Sequence, residues 1–558
     1  MKRTLFLAAA ATLLASTAIA QAPAAPAPAP QLPACGPNGF ARPVYGTFGD
    51  NDGIVHPYEI VSACTPQAVK DAAEAIGMGR TQPLGIRNVT TTLFSASGSY
   101  ALDGDAPVKI DKLNAQISYF LPAMRLTVTK GGAKPVTQIS VFNDKTAWAE
   151  KQEGVFLAGP PPVTASLLPL YKLTPFGALW SVIEAEGNAT VATVAGKTVI
   201  SGASPYDGIP VTVTLGPTNL PIAATATIGG RVFSASYGAY TDKLEPKYLI
   251  LFTSKITITA DGKPYADLTT TEFKSNPYVV FPIPAEASKP APAQTAAAAD
   301  GVWTPPAKRV DPADAFFAQV QPTGDTPKLA DGHPDLSGQW SGGFPSPAGP
   351  YGLRRRGTFE PDQFVMQKSS YRNKPVYKPE YWPKVRGLDF SKVDVDAVFR
   401  CFASGVPRQG APQRIVATPK EMWTMNVAYS GASTRVVPTD GRKRPESDTD
   451  YAWSLGMPLG HWEGDTMVVD SVGFNDTTWL NWAGYFHTDQ MTVTERLRRR
   501  GDLLFYQFTV HDPDVLAEPW TSETFVRKLA PDPTAVPDKV EECTENDLDA
   551  IVDLYERG

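Results

Sequence analysis

Alternation of apolar and polar residues with a period of two dominates the chain between residues 90 and 284. Clear examples are the runs 115–129, 211–215 and 223–228. In an extended chain every second side chain faces the same side of a sheet, so these runs predict strands. The alternating runs 248–260 and 265–273 are separated by a turn that contains Asp261-Gly262, a typical hairpin loop. This region therefore predicts a long antiparallel sheet.

Two segments of the first half have helical character instead. Residues 66–78 predict a helix with Thr65 as its N-cap, Pro66 at its first position and two glycines close to its end, an arrangement typical of helix boundaries. Residues 164–186 predict a second helical segment in spite of two internal prolines. The predicted fold of the first half is a curved antiparallel sheet over a helix.

A strand in the second half carries an unusual charge. The side chains that share one face of this strand are those of Met491, Val493, Glu495 and Leu497, and those of Thr492, Thr494, Arg496 and Arg498 point the other way. Glu495 is the only charged residue on the apolar face. A carboxylate in apolar surroundings must be paired, protonated or used in chemistry. Glu495 therefore becomes a candidate site residue.

Low-complexity segments divide the chain. Residues 1–20 have the layout of a signal peptide, residues 21–34 form a Pro/Ala leader, and residues 286–308 form a Pro/Ala linker. The chain has 558 residues, too many for one core. We therefore predict two mainly β domains, residues 35–285 and an aromatic-rich domain at 309–558 that forms a loop-rich β-barrel or β-sandwich.

The first twenty residues predict export. Lys2 and Arg3 precede an apolar run that ends in Ala18-Ile19-Ala20, which predicts a cleavable signal with cleavage after Ala20. No later stretch approaches the ~20 apolar residues of a membrane-spanning helix. The predicted protein is periplasmic or secreted, with no membrane span.

Charge and cysteine content narrow the partners. The formal net charge of −6 and the pI of about 5.6 argue against a nucleic-acid partner. The even cysteine count in an exported chain predicts the disulfides Cys35–Cys64 and Cys401–Cys543, with four buried free thiols as the alternative. The spacing of the cysteines excludes a Cys-rich zinc site.

The second half resembles a large family of secreted bacterial proteins of unassigned function. The matching segments are DGHPDLSGQW (331–340), CFASGVPR (401–408), RVVPTDGR (435–442), HWEGDTMVVDSVGFNDTTWL (461–480), FHTDQMTVTERLRR (486–499), DPDVLAEPWT (512–521) and EECTEN (541–546). The resemblance implies an independent, mostly β domain after an export signal, and it implies no activity. The predicted sheet of the first half resembles the half-barrel of periplasmic lipoprotein carriers, and the segment NVTTTLFSASGSYAL resembles the N-terminal domains of secreted metallo-hydrolases.

Three histidines of the second half are each followed by an acid within two residues: His461, His487 and His511. In an extended segment His487 and Asp489 lie on one side, so with Glu495 they form a candidate general acid–base set. The alternative is structural. In that case His487 and Asp489 share a loop-stabilising hydrogen bond, and Glu495 pairs with a buried arginine such as Arg408 or Arg435.

A metal site is a further alternative for His461, His487 and His511. None of the compact spacings HExxH or HxH is present, so the ligands would have to converge from separate strands. The chain also lacks a Gly-x-Ser-x-Gly elbow, a P-loop and a dinucleotide fingerprint. The prediction is a site without metal or cofactor.

Aromatic residues surround the histidines. The candidate substrate-binding residues are Trp462, Trp479, Trp482 and Tyr485, together with Arg435. Aromatic faces suit sugars, aromatic compounds or lipids, and core packing explains the same residues without a ligand.

Two functions from different classes are consistent with these patterns. The first is a periplasmic hydrolase or lyase that acts on a small amphiphilic, aromatic or sugar-like substrate through His487, Asp489 and Glu495. The second is a periplasmic binding or carrier protein that holds an apolar ligand without turnover.

Overall fold

A computed structural model describes the fold over most of the chain. The described residues are 65–78, 89–102, 106–119, 122–132, 135–144, 146–162, 164–204, 207–244, 250–287, 322–344, 374–388, 402–428, 431–445, 452–481, 484–522 and 525–530. The signal peptide, the leader, residues 288–308 of the linker and all four cysteines lie outside them, so the predictions made for those residues remain predictions.

Within the described residues, the first half forms a long antiparallel sheet, a two-stranded sheet and three α-helices. Its elements in chain order are α1 (Gln67–Ala75), β1 (Thr91–Tyr100), β2 (Val108–Ser118), β3 (Ala123–Lys130), β4 (Val136–Asn143), β5 (Thr146–Gln152), β6 (Val155–Leu157), α2 (Thr164–Leu173), α3 (Pro175–Glu184), β7 (Thr190–Val194), β8 (Lys197–Ala203), β9 (Pro210–Leu215), β10 (Pro221–Ile228), β11 (Arg231–Tyr237), β12 (Tyr240–Thr241), β13 (Phe252–Thr253), β14 (Lys255–Ala260) and β15 (Lys263–Ser275). Thirteen strands join in the order β6-β5-β4-β3-β2-β1-β15-β14-β11-β10-β9-β8-β7, and β12 pairs with β13. The predicted antiparallel sheet is confirmed.

The helices cover one face of this sheet and complete its apolar core. Every residue of α3 from Pro175 to Ile183 is buried, and α2 and α3 pack against strands β3, β8, β9, β10 and β11. The predicted helical segment is confirmed, and it consists of two helices. The second helix begins after Thr174, whose hydroxyl caps it by accepting a hydrogen bond from Gly177 N at 3.0 Å.

Local signals placed two further elements. Asp261 and Gly262 both adopt positive φ angles, +49° and +78°, and they close the hairpin between β14 and β15 as predicted, since such turns need positive φ. The predicted first helix is also present, but its N-cap is Pro66, without a side-chain cap bond, rather than Thr65.

The opposite face of the long sheet holds a buried arginine. Arg125 on β3 forms a bidentate ion pair with Glu150 on β5, at 2.8 Å and 3.1 Å, and both side chains are buried. Its guanidinium also donates to Gln116 Oε1 and to the carbonyl of Val280. An arginine whose guanidinium donates to four acceptor atoms can be buried without a large penalty.

The second half forms a strongly curved antiparallel sheet. Its elements are β16 (Gly338–Phe344), α4 (Trp382–Arg386), β17 (Arg414–Ala417), β18 (Glu421–Ala428), β19 (Gly431–Pro438), β20 (Met457–Glu463), β21 (Thr466–Val472), β22 (Thr492–Arg500), β23 (Leu503–His511), β24 (Trp520–Thr521) and β25 (Phe525–Leu529). The strand order is β19-β18-β17-β16-β25-β23-β22-β21-β20, with β24 on β23. The two ends approach each other, because a Cβ on Gly460 of β20 would lie 3.0 Å from Val437 of β19. The result is a nearly closed barrel, as predicted.

The alternation predicted for β22 is present. Val493, Glu495 and Leu497 are buried, and Thr494 and Arg496 are partly exposed. Strands β20, β21, β22 and β23 follow each other as a meander of hairpins. The buried faces of these strands form the barrel interior, so Glu495 points into it.

The two sheets meet through residues 278–281 and α4. Trp382 stacks on the guanidinium of Arg125, 4.9 Å from the ring centroid, and Arg386 forms an ion pair with Glu153 at 2.5 Å. Tyr278 donates a hydrogen bond from its hydroxyl to the carbonyl of Pro375 at 2.9 Å. Polar and aromatic contacts therefore connect the first sheet to the barrel.

Among the described residues, no helix has the length and apolar character needed to cross a bilayer.

Lys374 lies buried in this contact region. Its ammonium donates to the carbonyl of Pro277 at 3.3 Å, and burial lowers its pKa from 10.5 to about 7. The folded pKa is below the unfolded one, so the unfolded chain binds more protons between these two values and stability rises with pH across that window. Below about pH 7 the Lys374 amine is charged in both the folded and the unfolded chain, and the free-energy cost of burying its charge is fully present.

Lys374→Met should therefore stabilise the protein most at and below neutral pH. A pKa lowered from 10.5 to about 7 corresponds to an advantage on the order of 5 kcal/mol, and the advantage should shrink as pH rises. Urea unfolding of the wild type and of Lys374→Met at a series of pH values from 6 to 10 measures it. A constant difference between the two proteins across this range would contradict the burial of a charged amine.

Candidate functional site

The candidate site lies at one end of the barrel, where three loops meet. They are residues 402–413 before β17, 452–456 before β20, and 473–481 and 484–491 between β21 and β22. Gly405 lies against Thr478, since a Cβ added at Gly405 would be 2.8 Å from the side chain of Thr478. The backbone N of Val406 donates to the carbonyl of Ser454 at 3.2 Å. These contacts place segments far apart in sequence around one point.

Thr478 and His487 form a hydrogen-bonded pair at this point. Thr478 Oγ1 lies 2.9 Å from His487 Nε2, and His487 Nδ1 lies 3.0 Å from the carbonyl oxygen of Thr488. A carbonyl only accepts, so Nδ1 carries the proton in the neutral ring and Nε2 has a free lone pair. The hydroxyl of Thr478 then donates to Nε2. This is the arrangement of a hydroxyl beside a base that a third group orients.

Burial keeps the imidazole neutral. It lowers the pKa of His487 below 6.5, and the carbonyl of Thr488 and the charges of Asp512 and Asp476 oppose that shift only in part. His487 is therefore predominantly in its basic form at neutral pH, as a proton acceptor requires.

Asp512 fixes the loop that carries His487. Its carboxylate accepts hydrogen bonds from the backbone N of Thr488 at 2.6 Å and from the Thr488 hydroxyl at 3.0 Å. On the other side, the Tyr377 hydroxyl donates to the carbonyl of Phe486 at 2.5 Å. The backbone is thus held on both sides of His487, which limits the motion of its ring.

The structure corrects the placement of Asp489. Residues 489 and 490 form a turn, so the segment is not extended and the two-residue alternation does not apply. Asp489 is exposed, and its carboxylate accepts a hydrogen bond from Gln490 Nε2 at 3.1 Å. The buried carboxylate near His487 belongs to Asp512 instead.

Glu495 is engaged in a buried ion pair. Its carboxylate lies 2.7 Å from Arg435 Nη2, with both side chains buried, and it accepts a hydrogen bond from the Tyr506 hydroxyl at 3.0 Å. Arg435 Nη2 also donates to Ser471 Oγ at 2.9 Å. Burial and the neighbouring carboxylate raise the pKa of Tyr506, so its phenol remains a donor. This pairing is the structural alternative described above, and it places Arg435 against Glu495 rather than beside His487.

The aromatic residues are spread over different surroundings. Trp462 stacks on His333 with 4.7 Å between ring centroids, and Trp479 lies under the buried guanidinium of Arg408 at 5.2 Å. Tyr485 is buried among Tyr278 and Tyr377. Trp482 lies outside the described residues. Of the three described aromatic candidates, Trp479 is the one that directly follows Thr478 in the chain.

The histidines do not converge on a metal. His461 and His511 are exposed, and His461 Nε2 lies 3.5 Å from Glu463. Over the described part of the chain, no three His, Cys, Asp or Glu side chains are grouped as metal ligands would be. Both ring nitrogens of His487 are hydrogen-bonded to protein groups.

Two residues of the site were missed from the sequence. Thr478 lies in the segment NDTTW, which carries no catalytic motif, and Asp512 was assigned to His511 because it follows it directly. The end of the alternating run at His511 was a usable signal for Asp512, since the residue after a strand can turn back over the barrel end. A scan against protein-family models and a search of curated proteins found no match to this chain.

Proposed function

We propose that this protein is an exported, metal-independent acyl hydrolase in which His487 is the general base and Thr478 the nucleophile. The observation that carries the proposal is the 2.9 Å contact between Thr478 Oγ1 and His487 Nε2, with Nδ1 held by a backbone carbonyl. A hydroxyl beside an oriented, neutral imidazole is the core of nucleophilic acyl transfer. Asp512 is a positioning residue, because it acts through Thr488.

Thr478, His487 and one water molecule are sufficient to hydrolyse an ester. His487 Nε2 takes the proton of the Thr478 hydroxyl while Oγ1 bonds to the carbonyl carbon of an ester, and the carbonyl π electrons move to its oxygen. The tetrahedral intermediate collapses, the C–O bond to the alcohol breaks, and Nε2 returns the proton to the leaving alkoxide. Water then attacks the acyl-threonine with His487 again as base, which releases the acid and restores the hydroxyl.

A carrier function is the second candidate, and one observation in the first half favours it. The Tyr240 hydroxyl is buried and has no hydrogen-bond partner among the described residues. A buried unsatisfied hydroxyl is costly, and a bound apolar ligand with a single acceptor would satisfy it. In that case a compound is retained by the purified protein without being converted.

The proposal is tested with a series of 4-nitrophenyl esters from acetate to octanoate. The wild type should release 4-nitrophenolate, and His487→Gln should lower kcat by about 10²–10⁴-fold, the usual contribution of a general base. The rate should rise with pH through the pKa of His487 and level off above it. Because burial lowers that pKa below 6.5, the rising limb should lie on the acid side of pH 6.5.

Intact-mass spectrometry follows the acyl group in the same experiment. The wild type should accumulate an acyl adduct, Thr478→Val should form none, and Thr478→Ser should retain one because it keeps the hydroxyl. His511→Gln, an exposed histidine on the same barrel, is the matched control and should be unchanged. Absence of turnover in the folded wild type, or full activity of His487→Gln, would overturn the proposal, and retention of an unconverted compound would favour the carrier.

A further inference from the structure

Two of the loops around Thr478 carry large aromatic side chains that face solvent. Phe402 is 60% exposed and Trp453 is 57% exposed, the highest values among the exposed large apolar side chains in the described part of the barrel. Phe402 precedes Gly405, which lies against Thr478, and Trp453 precedes Ser454, whose carbonyl accepts from Val406 N. We refer to Phe402 and Trp453 as the aromatic rim.

The backbone of Trp453 is fixed although its side chain is not covered. Its N–H donates to the carbonyl of Gly473 at 2.9 Å, and its carbonyl accepts from the backbone N of Asn475 at 3.3 Å. Asn475 Nδ2 also donates to Ser454 Oγ at 3.2 Å. Two hydrogen bonds of Trp453 and one of the neighbouring Ser454 therefore tie this segment to the loop that leads directly to Thr478. Because the backbone that carries this ring is already fixed, a ligand that binds to the ring causes little further loss of conformational entropy in the protein.

Another exposed tryptophan of the barrel lies in different surroundings. Trp423 is 42% exposed on the outer face of β18, where Val416 and Val436 are its direct neighbours on the adjacent strands. Its indole N donates to Glu421 Oε1 at 3.0 Å. Like Trp453 it is an exposed tryptophan, but it is not on a loop of the candidate site.

We infer that the aromatic rim binds the planar aromatic group of the substrate, so that the substrate class of the proposed hydrolase is aromatic esters. This deepens the proposed function and rests on it for the reaction, but not for the binding. An aromatic group stacks on an exposed indole in an offset or edge-to-face geometry. The loops that carry the rim contact Thr478 and the segment that leads to it, so an aromatic group bound at the rim lies at the same end of the barrel as the proposed nucleophile.

The inference is tested with 2-naphthyl acetate as substrate and with 2-naphthol as a binding probe. Trp453→Ala should raise KM for 2-naphthyl acetate about tenfold while kcat changes less than about twofold, since one stacking contact is lost and the pair of Thr478 and His487 remains. Isothermal titration with 2-naphthol should show the same tenfold weakening. Phe402→Ala should act in the same direction, and KM for ethyl acetate should be unaffected.

Trp423→Ala is the matched control and should bind 2-naphthol as the wild type does. Equal affinity of the wild type and Trp453→Ala for 2-naphthol overturns the aromatic rim, whatever the enzyme activity. Binding of 2-naphthol that depends on Trp453, without hydrolysis of any ester, supports the rim and contradicts the proposed hydrolase. The two failures are therefore distinguishable.

Discussion

Glu495→Gln is expected to lower the free energy of unfolding by about 3–5 kcal/mol, the usual cost of removing one partner of a buried ion pair. The carboxylate is 2.7 Å from Arg435 Nη2, and both side chains are buried in the barrel. A glutamine keeps an acceptor for the Tyr506 hydroxyl but leaves the guanidinium without a neighbouring negative charge. Unfolding by guanidinium chloride, followed by tryptophan fluorescence, measures this loss of stability, because nine of the eleven tryptophans lie beyond residue 300.

The control for this variant is Glu463→Gln on the same barrel. Glu463 pairs with Arg496 at 2.7 Å, but both side chains are about half exposed, and water screens such pairs so that they contribute little to stability. The double variant Arg435→Met/Glu495→Leu should be more stable than Glu495→Gln, since an apolar pair leaves no unpaired charge. If Glu495→Gln cost no more than Glu463→Gln, the pair would not be buried in solution.

Arg125→Met should have a comparable effect on the first half. The arginine holds both oxygens of Glu150 and contacts the Trp382 ring of α4, so its loss leaves a buried carboxylate and weakens the contact between the sheets. We expect a loss of about 3–5 kcal/mol. Thermal unfolding followed by circular dichroism should show a lower midpoint.

Arg231→Met is the comparison for this prediction. Arg231 pairs with Asp261 at 3.2 Å at the exposed end of the same sheet, where the pair is screened by water, and its loss should change the midpoint little. An unchanged midpoint for Arg125→Met would mean that Glu150 finds another partner, and the proposed role of Arg125 would then be wrong.

Local patterns predicted most of the fold. The alternation along residues 491–497 placed Glu495 on the buried face of β22, and Asp261-Gly262 located a hairpin turn, because both signals act over a few residues. The helix boundary at Thr65 was wrong by one residue. Pro66 takes the N-cap position there, which a preference scale for capping residues does not anticipate.

The site could be predicted only in part. His487 was found because an acid follows it within two residues, but its partner Thr478 comes from a loop whose position depends on contacts with Gly405 and Ser454. The Asp489 prediction assumed an extended segment, and the turn at residues 489–490 removed that assumption. Partners that meet across loops have no fixed spacing in sequence, so no period identifies them.

The buried acid illustrates the limit of a single-strand argument. The alternation in β22 showed that Glu495 must be paired, protonated or used, and it could not show which. The answer came from Arg435 on β19, which becomes a neighbour only when the barrel closes.

The path of residues 276–284 has a practical consequence for anyone who wishes to express the halves separately. Tyr278 and Val280 belong to the apolar cluster of the barrel, and Val279 and Phe281 belong to a cluster on the first sheet. A truncation placed in the Pro/Ala linker would leave Tyr278 and Val280 on the wrong fragment and uncover the apolar barrel residues against which they pack. The recombinant protein is therefore best prepared as one polypeptide that keeps this crossing segment intact.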